Sequence, residues 1–330
     1  MVSSFNVNQL ETFLEKRVEL DEFSGAVLVA KDGEVIFKRA YGLANKRYNV
    51  SNQTDTKFNI GSISKIFTKV GIHQLAERGE VSLNDYMGQY CPGFPKNVAN
   101  KVTIHHLLNH TSGMGHYWNE KFEASKHKLR KVDDFLELFR EEPLAFEPGE
   151  KSQYSNAGYV VLGKIIEAVS GQDYYDYVRE RIYQLAGMDS TDHYEMDVPT
   201  ANLAIGYTRL DDEGQLQKGP RVENTFRIGV KGSPAGGGYS TVDDLHQFCI
   251  ALQSHRLMGP EYTELTIRHT SARREKAKSK TFGHAGGGPG IGSIFEMSLD
   301  LGYISVILSN YDPDSMWPVQ KQIREIATKQ

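Results

Sequence analysis

Apolar residues recur at helical spacing through Ile63, Ile66, Phe67 and Val70, and the run stops at Arg78-Gly79, a basic last turn before a helix-ending glycine. This pattern predicts a core helix over 62–78. Upstream, Gly25–Lys31 and Glu34–Tyr41 predict two strands joined at Asp32-Gly33, a hairpin signal, and the N-terminal residues before them pattern as an amphipathic helix. Further helices are predicted over 103–110, 131–141, 157–169 and 173–184, separated by Cys91-Pro92-Gly93 and Glu147-Pro148-Gly149. Strand-like pieces return at 203–210 and 215–218, with a turn at 211–214. Gly292–Ser298 and Gly302–Ser309 then read as a hairpin, and Ser315–Lys329 as a closing helix. The charged stretch Thr270–Ser279 reads as a mobile loop.

Strands at both ends with helices between them imply one sheet built from the two termini and a helical lobe inserted in the middle. The expected organisation is one domain of 330 residues, with an α/β lobe from about 1–61 and 200–330 and a helical lobe from about 62–199. A net charge of −4 gives no reason to expect nucleic acid or an acidic membrane surface as a partner. The basic run from Lys121 to Lys131 reads as a solvated face. Apolar stretches such as Gly25–Ala30 are too short to cross a bilayer, and no apolar leader follows the start. The expectation is a soluble, cytoplasmic protein. Cys91 and Cys249 have neither metal-site nor disulfide spacing and read as small buried residues.

The chemistry concentrates at Ser62-Ile63-Ser64-Lys65. On a helix, residues three apart share a face, and a serine hydroxyl becomes a nucleophile when a neighbouring amine takes its proton. Ser62 is expected in the first turn of its helix, near free backbone N–H groups. Ser125 and Lys128 repeat the spacing, but in charged surroundings where the lysine stays solvated and protonated. Tyr154-Ser155-Asn156 offers a proton shuttle and an amide for orienting the lysine. A phenol beside an ammonium is expected to ionise more easily. Tyr117-Trp118-Asn119 copies the pattern, but it is Tyr154 that follows Glu147-Pro148-Gly149 and precedes a well-patterned helix, a loop-to-helix junction where a side chain can face a cleft. In His284-Ala285-Gly286 and the glycines that follow, backbone N–H groups are free to meet an oxyanion, Gly287 pairing with Ser62.

Taken in this order, Ser62-x-x-Lys65, Tyr154-x-Asn156 and His284-x-Gly286 resemble the class C β-lactamase, DD-peptidase and family VIII carboxylesterase superfamily. The segments 103–114, Glu147-Pro148-Gly149 and 235–241 are similar to it as well. The resemblance implies an α+β, β-lactamase/transpeptidase-like fold, with an antiparallel sheet flanked by terminal helices and an inserted all-helical lobe. It implies Ser62 as nucleophile, Lys65 as base, Tyr154 as shuttle, with Asn156, His284, Gly286 and Gly287 binding substrate and oxyanion, and no cofactor. His284 stands where many penicillin-recognising relatives carry lysine. A histidine is largely neutral near pH 7, which favours esters over strong β-lactam turnover. The expected activity is therefore an acyl-enzyme carboxylesterase with weak β-lactam hydrolysis, on a small ester, amide or peptide substrate. A D-amino-acid-specific peptidase or amidase, or a β-lactamase, is the alternative; a non-catalytic penicillin-binding-like sensor module is the second. His106 and His110, four apart, are the weak candidate for a metal, without a third ligand in the sequence.

Overall fold

The computed structural model describes residues 5–268 and 281–329, so the loop expected at 270–279 lies outside the described residues. The strands that matter here are β1 (Gly25–Lys31), β2 (Glu34–Tyr41), β3 (Phe58–Gly61), β4 (Gly238–Ser240), β5 (Thr281–Gly288), β6 (Ile291–Ser298) and β7 (Tyr303–Ser309). Five of them form an antiparallel sheet in the order β2-β1-β7-β6-β5, so the C-terminal strand β7 lies beside the N-terminal β1. β7 is buried throughout and β1 over all but its last residue, which explains their nearly unbroken apolar runs.

The two faces of the sheet separate by the strand period of two. Val27, Val29, Ile294 and Ile307 face a layer made by the terminal helices α1 (Val7–Glu19) and, at the other end of the chain, Trp317–Thr328, through Leu10, Leu14, Val319 and Ile323. Ala26, Leu28, Phe295, Val306 and Leu308 face the larger core instead. At its centre runs α2 (Ser64–Glu77), buried on every side and packed against α3 (Ala157–Ser170). Phe67 of α2 meets Tyr183 and Phe248 edge-on at 5.1 and 5.0 Å, an arrangement that adds about 1 kcal/mol per pair beyond burial itself.

Several expected elements are shorter or differently built. α2 begins two residues later than its apolar pattern, because Gly61 is left-handed (φ 48°) and turns the chain at Ser62-Ile63. The helix expected over 131–141 covers only Val132–Leu136 and then unwinds into turns. The one at 173–184 becomes an α-turn (Tyr174–Val178) followed by a π-helical stretch, Arg179–Tyr183. The pieces 203–210 and 215–218 meet only at one bridge, Leu210 to Leu216; Tyr207–Thr208 pairs with Val222–Glu223. No described helix is long and apolar enough to cross a membrane.

Candidate active site

Ser62 sits in the turn between β3 and α2, and not inside the helix. The two are nevertheless joined locally: Lys65 N donates to Ser62 O at 3.1 Å, which brings Lys65 Nζ to 3.3 Å from Ser62 Oγ. Tyr154 OH donates to the same Oγ at 2.8 Å. The hydroxyl therefore stands between an amine and a phenol.

Lys65 is wholly buried, at 0% exposure. Its Nζ donates to Asn156 Oδ1 at 2.6 Å and to Ala235 O. Both partners are neutral, so nothing offsets the cost of burying a charge, and the ammonium is held well below its usual range by desolvation. A neutral amine has two N–H bonds and one lone pair. With the N–H bonds taken by Asn156 and Ala235, the lone pair is left for the Ser62 hydroxyl.

The expected phenolate is not what this environment favours. Burial raises the Tyr154 pKa, and the hydrogen bond to Ser62 only partly opposes it. Burial thus favours the protonated phenol, as it disfavours the ammonium form of the neighbouring Lys65. Tyr154 as a residue is 43% exposed, and its ring rests against His110 with centroids 4.7 Å apart.

The three residues of Tyr154-Ser155-Asn156 divide the work. Ser155 Oγ accepts from Gly158 N at 2.9 Å and so caps the start of α3. That leaves the Asn156 side chain free of capping duty, with its Oδ1 on Lys65 and its Nδ2 donating to His116 Nδ1 at 3.1 Å. Ala235 O, His110 and His116 are contributions that sequence reading missed; a backbone carbonyl has no signature in residue type, and neither histidine falls in a catalytic spacing.

The glycine-rich strip proves to be the edge strand β5. An added Cβ at Gly286 would lie 2.0 Å from Ile60 O and 2.8 Å from Ser62 N, so only glycine fits there. A Cβ on Gly61 would lie 3.1 Å from Gly287 N, which places that N–H beside the Ser62 turn. Asp312 Oδ1 accepts from Gly290 N at 2.8 Å and Asn224 Nδ2 donates to Pro289 O at 2.8 Å, and these bonds brace the hairpin that follows. His284 is half-buried upstream on β5, opposite Phe295 of β6.

Both look-alike motifs are committed elsewhere. Ser125 Oγ donates to Lys121 O at 2.5 Å, and Lys128 is exposed. Tyr117 is buried against Ser233 Oγ at 2.9 Å, while Asn119 caps the short helix Glu120–Ser125. His106 Nδ1 accepts from Thr103 N and His110 Nδ1 from Ser155 N. Among the described residues no cluster of three or more metal-ligating side chains occurs. Both cysteines are buried free thiols whose pKa values burial pushes up.

A cavity of about 340 Å³ opens at Ser62. Gly287 and Gly288 form one wall, and Trp118, Phe122, Phe135, Tyr194 and Met196 form an apolar side. Its cations are already paired: Lys231 with Glu195 at 3.1 Å and Arg227 with Asp212 at 3.4 Å.

The chain is similar along its length to known proteins. It is 30% identical over 328 residues to "Penicillin-binding protein 4*" of Bacillus subtilis (strain 168), a match covering 93% of this chain and 72% of that protein. It spans about half the length of other curated relatives. The crystal structure of a penicillin binding protein from Bacillus halodurans superposes with a TM-score of 0.83 at 29% identity, covering 94% of this chain and 98% of that one. A D-amino acid amidase from Ochrobactrum anthropi SV3, complexed with L-phenylalanine amide, shares the fold with a TM-score of 0.81 at 23% identity over 98% of both chains. Residues 10–327 match the Beta-lactamase family model, and the chain belongs to the beta-lactamase family of serine hydrolases.

Proposed function

We propose that this protein hydrolyses a neutral carboxylic ester through an acyl-enzyme on Ser62. The observation that carries the proposal is the Ser62 hydroxyl held between the buried Lys65 amine at 3.3 Å and the Tyr154 hydroxyl at 2.8 Å, with burial favouring the uncharged form of each. Ser62 Oγ attacks the ester carbon as its proton passes to Lys65 Nζ, and the carbonyl oxygen becomes an oxyanion between the N–H groups of Ser62 and Gly287. On collapse the C–O bond to the alcohol breaks. The alkoxide takes the Tyr154 proton, and Tyr154 is re-protonated from Lys65. Water, deprotonated by the same pair, then attacks the acyl carbon; the acid leaves and Ser62 regains its proton.

The preference for a neutral ester rests on the cavity. A substrate carboxylate entering it meets apolar side chains and two cations already held by Glu195 and Asp212, and a charge gains little where no partner awaits it. Cleavage of a D-amino-acid amide is the second reading, supported by a proton on Tyr154 for the leaving amine. Initial rates on p-nitrophenyl butyrate, D-phenylalanine p-nitroanilide and a chromogenic cephalosporin, each with Ser62→Ala as control, test the choice. The ester is expected to have the highest kcat/KM; a higher value for the anilide or the cephalosporin would reverse the assignment.

A further inference from the structure

Asn156 can serve Lys65 in only one of its two amide orientations. Its Oδ1 accepts from Lys65 Nζ at 2.6 Å. Rotated by half a turn, the amide would present Nδ2 instead and donate into the lysine lone pair, the same lone pair that the Ser62 proton needs. Nothing on the Lys65 side forbids this, since a neutral amine can accept as well as donate. The orientation is decided at the other end of the amide, where Nδ2 donates to His116 Nδ1 at 3.1 Å.

From this geometry we infer that His116 is a positioning residue: its unprotonated Nδ1 locks the Asn156 amide so that Lys65 keeps its lone pair for Ser62. The inference rests on the proposed roles of Ser62 and Lys65 and goes beyond them. No part of His116 touches the reacting atoms.

The loop carrying His116 is built to hold that contact. Gly115 O accepts from both Ser155 Oγ (3.0 Å) and Ala157 N (3.2 Å), so the residue before His116 is tied to the residues on either side of Asn156. The imidazole lies flat on the Trp118 indole, with centroids 5.7 Å apart and planes 7° from parallel, and the Tyr154 ring stands 6.0 Å away. These contacts fix the imidazole plane in which Nδ1 faces Asn156.

The titratable and charged groups around the ring act in one direction. Partial burial of the ring disfavours a positive charge on His116, and so does Lys65 of α2 whenever its amine carries a proton. His110, from the segment after Ile104–Leu108, is a second imidazole whose own protonation His116 opposes. Tyr154, on the approach to α3, keeps its proton and adds no negative charge. The ring is therefore neutral near pH 7, with the remaining proton on Nε2 when Nδ1 accepts from Asn156. Protonation in acid would put an N–H on each side of the Asn156–His116 contact and favour the rotated amide.

His116 is largely exposed, so its replacement leaves the core packing intact. The test compares wild type, His116→Gln and His116→Leu at pH 8. It measures kcat and KM for p-nitrophenyl butyrate and the rate of covalent labelling by a fluorophosphonate. A glutamine offers a carbonyl oxygen to Asn156 Nδ2, whereas leucine offers nothing. The Leu variant is expected to lose about 10- to 100-fold in kcat and labelling rate with KM within about twofold, and the Gln variant to return to within about threefold of wild type. Equal rates in the two variants, whether both intact or both impaired, would overturn the inference, as would a loss expressed in KM alone. Ser62→Ala separates the two levels: wild-type labelling that vanishes in Ser62→Ala keeps the proposed function standing whatever His116 does. A wild type that is never labelled at Ser62 removes both.

Discussion

Replacing Lys65 by methionine removes the amine while nearly preserving side-chain length and volume at a site with no solvent exposure. Three contacts disappear: those to Asn156 Oδ1 (2.6 Å), Ala235 O and Ser62 Oγ (3.3 Å). Of the groups bonded to Ser62 Oγ, only Tyr154 OH then remains, and its raised pKa means that it holds a proton and cannot accept another. Positioned proton transfer contributes about 10²- to 10⁴-fold, equivalent to about 3–5.5 kcal/mol of barrier. The labelling rate with a fluorophosphonate and kcat/KM for an ester should both fall by that factor. Stability responds less, because two orphaned acceptors at about 1–3 kcal/mol each are opposed by relief of the buried amine. Circular dichroism and intact mass on the same sample establish that the variant is folded. Labelling within about tenfold of wild type in a folded Lys65→Met protein would refute the assignment of Lys65 as base.

Tyr154→Phe should lose about 10²-fold or more in kcat, while Tyr117→Phe, whose hydroxyl bonds Ser233, stays close to wild type in steady-state assays. Gly286→Ala forces a Cβ onto Ile60 O and toward Ser62 N; the rate of covalent labelling by a fluorophosphonate should drop at least about tenfold, and an unchanged rate would show that β5 can move away from β3 at little cost. Lys65 and Lys69 are both depressed by burial, Lys69 to about 7. Between that pH and 10.5 the unfolded chain binds more protons than the folded one, so stability should rise with pH by up to about 1.4 kcal/mol per unit for Lys69. Denaturant midpoints at pH 7, 8 and 9 read this out, and Lys69→Met should flatten the rise; a fall with pH in wild type would contradict the depressed lysines.

The parts of the site that a residue type announces were readable in the chain. Ser62, Lys65, Tyr154 and Asn156, singled out from their motifs, lie together in space, and the one sheet shared by both termini follows from strand signals at the two ends of the chain, its antiparallel order from the family resemblance. What stayed hidden depends on three-dimensional surroundings. β5 has no alternation to read because glycines fill its end, where Ile60 O and the Ser62 turn leave no room for a side chain. The preference of Tyr154 for its protonated form could not be inferred from a lysine neighbour, because the same burial that raises the phenol pKa lowers that of the amine. Ala235 contributes only its carbonyl. The strand β3 is four residues long and pairs with β4, some 180 positions later, a distance at which no local pattern speaks.

In the proposed reaction Ser62 carries the acyl group. Intact mass and peptide mapping after incubation with a fluorophosphonate, on wild type, Ser62→Ala and Ser125→Ala, test it most directly. A single adduct is expected on the peptide containing Ser62 in wild type and Ser125→Ala, and none in Ser62→Ala. An adduct that persists in folded Ser62→Ala, or disappears in Ser125→Ala, would contradict it.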